Sequence, residues 1–142
     1  MRKIYHKFLN EQEVSMLKSL EVDRSYVILN EKNLIVDKIL NRLSKDFKFE
    51  IKPASYYRLE KTRKEGHGWH KDTGDSNHMM WCQVGCSILL ESESDAGKTF
   101  YDIDGEIIEV ERDKLDLIAH TSDVLHKVDP PEGHRLVFLI FI

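Results

Sequence analysis

Cysteine is scarce. Cys82 and Cys86 are the two among 142 residues, which excludes a disulfide framework and fits a reducing compartment. Long apolar runs are missing: the longest, LVFLIFI at 136–142, has seven residues, far short of the roughly 20 that cross a bilayer. The first segment, MRKIYHKFLNEQEV, lacks the apolar core of a signal peptide, so a cytoplasmic protein without a membrane partner is expected. There is no internal repeat, linker or low-complexity stretch. No Gly-x-Ser-x-Gly elbow accompanies Ser122-Asp123 and His126, which argues against a hydrolase triad. Positive charge is thin in the second half, where residues 65–142 carry 6 Lys/Arg against 16 Asp/Glu, while residues 1–64 carry 15 against 9. The acidic half would repel phosphates, so nucleic acid is not an expected partner. An acidic partner for the basic half is conceivable, but a solvated charged face is the plainer reading.

The chain that remains is 41% hydrophobic and 32% charged, ordinary for a globular protein. Its length suits one core, so residues 1–142 are expected to form a single domain, with 1–50 as helical support and 51–142 as a β-core. Asn10-Glu11-Gln12-Glu13 reads as a capping box that opens a helix to about Leu20. From about Asn30 a second helix is expected, with Ile35, Ile39, Leu40, Leu43 and Phe47 on one stripe. After Pro53 the period turns strand-like. Strands are expected at 54–59, 68–72, 81–90, 97–101, 107–110, 115–119, 124–128 and 135–142, separated by turn signals such as Asp102-Ile103-Asp104-Gly105 and Pro130-Pro131-Glu132-Gly133. Helices followed by about eight short strands predict an α+β domain around a β-sandwich or barrel.

The fragment GWHKD at 68–72 raises the chemical question. On a strand, residues i and i+2 share a face roughly 6.6 Å apart, so His70 and Asp72 are expected to point the same way. His126, mid-strand in Val-Leu-His-Lys-Val, is the best candidate for a third ligand. Two histidines and a carboxylate form the facial set that suits non-haem Fe(II) and leaves positions open. Taken alone, His-x-Asp reads more readily as a surface polar pair. Arg135 is the supporting residue. It opens an otherwise apolar strand, where a guanidinium needs a partner; a small dicarboxylate fits its fork, as does a salt bridge to Asp129 or Glu132. His78, Cys82 and Cys86 look like zinc ligands until the strand rise is considered: four residues span about 13 Å, too far to share one ion. His67, His120 and His134 are expected to be solvated or supporting, and Trp69 to face away from the site. The stretch Glu60 to Gly66 reads as an exposed loop, with a lid steered by Arg63 and Lys64 as the alternative.

Taken together, these marks resemble the Fe(II)/2-oxoglutarate-dependent dioxygenases, in particular the prolyl-4-hydroxylase-like branch. The resemblance runs from about Ser55 to Ile142. It rests on Tyr56-Tyr57, His70-x-Asp72, Ala96-Gly97-Lys98-Thr99-Phe100, His126-x-Val128 and Arg135. It implies a double-stranded β-helix, jelly-roll or cupin-like, of about eight strands with the N-terminal helices packed on one sheet. It implies that His70, Asp72 and His126 bind Fe(II) and form the catalytic centre. Arg135 would hold the distal carboxylate of 2-oxoglutarate, and Tyr57, rather than Tyr56, would donate its hydroxyl to that carboxylate. Relatives often carry a tyrosine on the strand that here reads Ser87-Ile88-Leu89-Leu90, and a hydroxyl residue where this chain has Leu136-Val137; Thr99 is expected to compensate. The cosubstrates would be 2-oxoglutarate and O2, with ascorbate as a supporting reductant. The implied activity is hydroxylation of a C–H bond, foremost on a peptidyl side chain such as proline, with release of succinate and CO2. A free amino acid or small metabolite is the other substrate class, and the different-class alternative is a non-catalytic cupin-like binding module. Oligomeric state is left open.

Overall fold

The structure, a computed structural model, describes residues 1–23, 27–29, 33–74 and 78–142. The described strands form two antiparallel sheets. β1 (Arg2–Tyr5), β2 (Val27–Ile28), β3 (Tyr56–Lys61), β5 (Val84–Ser92), β8 (Leu117–Thr121) and β10 (Arg135–Phe141) make the larger, in the order β1-β8-β5-β10-β3-β2. β4 (His67–His70), β6 (Thr99–Ile103), β7 (Glu106–Glu109) and β9 (Leu125–Val128) make the smaller, in the order β4-β9-β6-β7. Each of the eight expected strands is present, with ends shifted by up to three residues. The expectation of a wholly helical first third is corrected: β1 pairs with β8, and β2 with β3. Those two short strands take their pairing from distant segments, which local pattern does not announce.

Both expected helices form. α1 (Glu11–Lys18) starts at Asn10, whose side chain accepts from the Glu13 N–H at 2.8 Å while Glu13 accepts from the Asn10 N–H at 3.0 Å. α2 (Leu34–Leu43) starts later than expected. Its cap is Asn33, which accepts from the N–H groups of Ile35 and Val36; the expected start at Asn30 lies outside the described residues. Ile35, Val36, Ile39 and Leu43 bury one face of α2, and Phe47, just beyond it, joins the same cluster.

Strict alternation makes the large sheet two-faced. On β10, Leu136, Phe138 and Ile140 enter the core with the helices, while Arg135, Val137, Leu139 and Phe141 turn inward to a cavity between the sheets. On β3, Tyr57 and Leu59 face the core, and Tyr56, Arg58 and Glu60 face the cavity. The helices therefore cover one face of one sheet, and the other face is free to carry polar chemistry. At the β6–β7 hairpin, Asp104 (φ 53°) and Gly105 (φ 87°) form the two-residue left-handed turn that suits antiparallel strands.

Asp116 fixes the approach to β8. It is 1% exposed and accepts from the N–H of Lys7 at 2.8 Å and of Asp113 at 2.9 Å, with His6 Nδ1 at 3.0 Å. Burial pushes its pKa up, but those hydrogen bonds outweigh it and hold the carboxyl below its ordinary 3.8. Its contribution is thus whole above that ordinary value and is lost as pH falls through the lower folded value. Asp116→Asn is expected to lower unfolding free energy by about 2 kcal/mol at pH 7. In denaturant titrations the gap to wild type should close in strong acid; a gap independent of pH would refute the assignment.

Candidate metal centre

β4 and β9 bring the two histidines together. His70 lies directly opposite His126 in the register, with ring centroids 4.3 Å apart. Each ring uses Nδ1 on a backbone carbonyl two residues earlier: His70 on Gly68 at 2.7 Å, His126 on Val124 at 2.9 Å. That places N–H on Nδ1 and leaves Nε2 of both rings as the free lone pair. Asp72 follows the end of β4, in a bend. Its convergence with His70 comes from this bend, not from the strand alternation expected at 68–72. One ligand atom from each of His70, Asp72 and His126 falls within 4.8 Å of the others. His126 and Asp72 are buried, whereas His70 is exposed and opens the centre to the outside.

Asp72 is held from behind. Its Oδ2 accepts from His120 Nε2 at 2.7 Å, and His120 Nδ1 lies 3.0 Å from the Tyr101 hydroxyl. An ionised carboxylate only accepts, so His120 donates from Nε2 and accepts the Tyr101 proton at Nδ1. Burial alone would raise the pKa of Asp72; the hydrogen bond from His120 outweighs it and keeps the carboxyl well below its usual range. Burial lowers the pKa of His120, outweighing the pull of Asp72, and the ring stays neutral. Burial also lowers His70, whereas at His126 the Asp72 contact overcomes burial and raises the pKa. The result is an anionic oxygen donor beside two imidazoles, the donor set that fits ferrous iron. Residues that could hold such an ion are therefore His70, Asp72 and His126.

The cavity above this centre has a volume of about 370 Å³. Arg135 is buried in its wall and donates from Nη1 to Thr62 Oγ1 at 2.7 Å. The alternative salt bridge to Asp129 or Glu132 does not form among the described residues; Asp129 instead pairs with Lys127 at 3.0 Å. Thr99 also lines the cavity, and its buried Oγ1 has no hydrogen-bond partner. The role expected for Tyr57 is corrected: it is 3% exposed in the hydrophobic core, its ring 5.6 Å from that of Phe138, and Tyr56 lines the cavity in its place.

Solved structures share this architecture. The chain superposes over 99% of its length on a prolyl-4-hydroxylase of Pseudomonas putida, covering 83% of that chain, with a TM-score of 0.71 at 16% identity. A prolyl 4-hydroxylase of Phytophthora capsici gives the same TM-score and identity, but this chain spans 57% of that one. The viral collagen prolyl hydroxylase of Paramecium Bursaria Chlorella virus-1, solved as a 2OG complex, gives a TM-score of 0.67 at 11% identity with 93% of its chain covered. No family model matches the sequence, and no curated relative does. The fold is that of the prolyl 4-hydroxylases.

Within this fold, several cavity residues escaped the sequence reading. His67, expected in a solvated loop, lies on β4 and lines the cavity together with His70, although an odd spacing should part them. A register shift between the two residues, a β-bulge, turns both rings inward. His120, for which solvated and supporting roles were both open, takes the supporting one behind Asp72 and is itself backed by Tyr101, and Arg112 reaches the cavity from the β7–β8 connection. His134 lies elsewhere, 3.8 Å from Glu91. Trp69 is 40% exposed with the Lys127 ammonium 5.4 Å from its ring, turned away from the centre as expected. Cys82 and Cys86 are buried thiols whose pKa values burial pushes up, and neither belongs to a metal-competent group among the described residues.

Gly85 of β5 has a positional cause. A Cβ there would collide with Asp72 Oδ2 and sit 3.1 Å from His120 Nε2. Gly85→Ala is therefore expected to displace the carboxylate and weaken Mn(II) or Fe(II) binding about ten- to a hundredfold. Metal titration checks this, and unchanged affinity would separate Gly85 from the centre.

Proposed function

We propose that this chain is an Fe(II)- and 2-oxoglutarate-dependent oxygenase, acting as a single domain with its β-core arranged as a double-stranded β-helix. The observation that carries the reading is a two-histidine, one-carboxylate donor set within 4.8 Å, opening onto a cavity with a buried arginine in its wall. Ferrous iron held there would supply dioxygen activation: one oxygen atom leaves in succinate as 2-oxoglutarate loses CO2, and the other enters a substrate C–H bond. The chain does the positioning. His70, Asp72 and His126 hold the metal, with His120 and Tyr101 fixing the carboxylate. Arg135 receives the distal carboxylate of 2-oxoglutarate through its forked donors. Thr99 offers a hydroxyl to the same end. Val137, Leu139, Phe141 and Ile118 provide apolar cavity wall that limits water.

For the substrate we propose a peptidyl side chain, with proline foremost. A shallow groove lined by Arg63, Glu65, Gly66, His67, Gly68, Trp69 and His70 meets the metal cavity at His67 and His70, and an extended chain could lie along it. No helix among the described residues is long and apolar enough to cross a membrane; the cytoplasmic placement remains part of the proposal. The test is succinate release from 2-oxoglutarate by Fe(II)-loaded protein with ascorbate under air, then mass spectrometry of candidate peptides for one added oxygen. A binding module without turnover would take up metal and release no succinate, and that result would overturn the oxygenase reading.

A further inference from the structure

Arg112 stands in the charged stretch Glu109-Val110-Glu111-Arg112-Asp113-Lys114, whose composition suggests a solvated loop. Its guanidinium nevertheless turns inward. Nη1 donates to Ser87 Oγ at 2.7 Å and to the Ser87 carbonyl at 3.3 Å. The inward positions of β5 here are Gly85 and Ser87, both small, and they leave room for the guanidinium. Arg112, Arg135 and Thr99 together line the metal cavity and also a second cavity of about 740 Å³ behind it, so they form the partition between the two.

Glu60 acts on Arg135 and Asp116 on Arg112 from a distance, but no carboxylate among the described residues is in direct contact with either guanidinium. Among the described residues, arginine ion pairs involve Arg42, Arg58 and Arg63; neither Arg112 nor Arg135 has one. Asp116, the acid whose charge acts on Arg112, is occupied by Lys7, Asp113 and His6. Burial, and then the charge of Arg135, lowers the pKa of Arg112 to about 9, so both groups stay cationic at neutral pH. Two guanidinium ions on one low-dielectric space repel each other, and a shared anion relieves that cost. The buried Thr99 hydroxyl, which has no hydrogen-bond partner, faces the same space and adds a polar group to it.

We propose that Arg112 is a second carboxylate-binding residue, which with Arg135 and Thr99 receives the distal carboxylate of the 2-oxo acid and selects dicarboxylic over monocarboxylic acids. The inference rests on the 2-oxoglutarate reading given above. It assigns Arg112 a direct contact with ligand, beyond the support it gives Ser87.

The test is isothermal titration of Mn(II)-loaded protein with 2-oxoglutarate and with 2-oxopentanoate, its length-matched monocarboxylate. Wild type is expected to prefer 2-oxoglutarate. Loss of one charge-assisted contact in Arg112→Gln should weaken 2-oxoglutarate about tenfold or more. Binding of 2-oxopentanoate and Mn(II) should be unchanged, and Arg112→Lys should recover part of the loss. Equal losses for both acids, or none, would make Arg112 structural and overturn the proposal while leaving the oxygenase reading intact. Failure of wild type to bind either acid would overturn both. Should the variants fold poorly, the Zn(II)-loaded wild type decides by NMR. The Arg112 Nε–H resonance should move with 2-oxoglutarate and not with 2-oxopentanoate; a stationary resonance is the opposing result.

Discussion

Metal binding in His126→Ala is expected to fall by at least about a hundredfold, beyond what loss of an outer partner causes, and 2-oxoglutarate turnover should drop to background. The geometry gives the reason. His126 supplies one of three donors, its tautomer is set by the Val124 carbonyl, and its Nε2 lies 3.4 Å from Asp72 Oδ1. Removing the ring leaves His70, which is exposed, and Asp72, which remains tied to His120. Two donors cannot impose the facial arrangement. The fold should survive, because the β9 backbone pairing to β4 and β6 does not depend on the ring. The measurement is metal content after desalting, beside succinate formation and thermal midpoint. Wild-type metal content in the variant would remove His126 from the centre. A collapsed midpoint would shift attention to packing, and His126→Gln, which retains the volume, then decides between the two.

Much of this was legible in the amino-acid order, and the failures have physical causes. Alternation at YYRLEK and RLVFLIF marked strands with one apolar and one mixed face. It did not fix the parity of adjacent tyrosines. A slip of one residue exchanges the faces, and Tyr56 and Tyr57 are neighbours, so sequence favoured the wrong one. The pairing of β10 with β3 sets the parity by placing Ile140 opposite Tyr57 and Phe141 opposite Tyr56. His67 was missed because a bulge has no reliable residue signature. His120 did leave a trace: it ends the buried run Leu117-Ile118-Ala119, where a polar side chain needs a partner. That partner, Asp72, is 48 residues away. Arg112 left no trace, since its neighbours are charged and its destination, Ser87, becomes near only when the chain folds. The start of α1 was readable because its capping box is local chemistry, whereas α2 begins later than expected, at the Asn33 cap. What the inward faces hold was less readable, because it depends on long-range register.

Arg135→Met should separate function from stability in opposite directions. Arg135 is 4% exposed, and its guanidinium is hydrogen-bonded to Thr62 and without an ion pair among the described residues. Burial lowers its pKa to about 10. For a cation, a folded pKa below the unfolded one means that the charged form destabilises the fold. That cost is whole at pH 7 and fades as pH rises from about 10 toward the ordinary arginine value. Methionine fills similar volume without charge, so unfolding free energy should stay level or rise by about 1 kcal/mol, the lost Thr62 bond offsetting part of the gain. Binding of 2-oxoglutarate should nevertheless weaken by about a hundredfold, the loss expected when a forked, charge-assisted pair is removed. Mn(II) affinity should hold, since Arg135 is no metal ligand. A buried charge that costs stability and is kept only by a bound anion marks a ligand site more securely than its position on a strand does. The opposing result is a variant that unfolds more readily yet binds 2-oxoglutarate as wild type does; Arg135 would then be a structural partner of Thr62, and the cosubstrate assignment would fall.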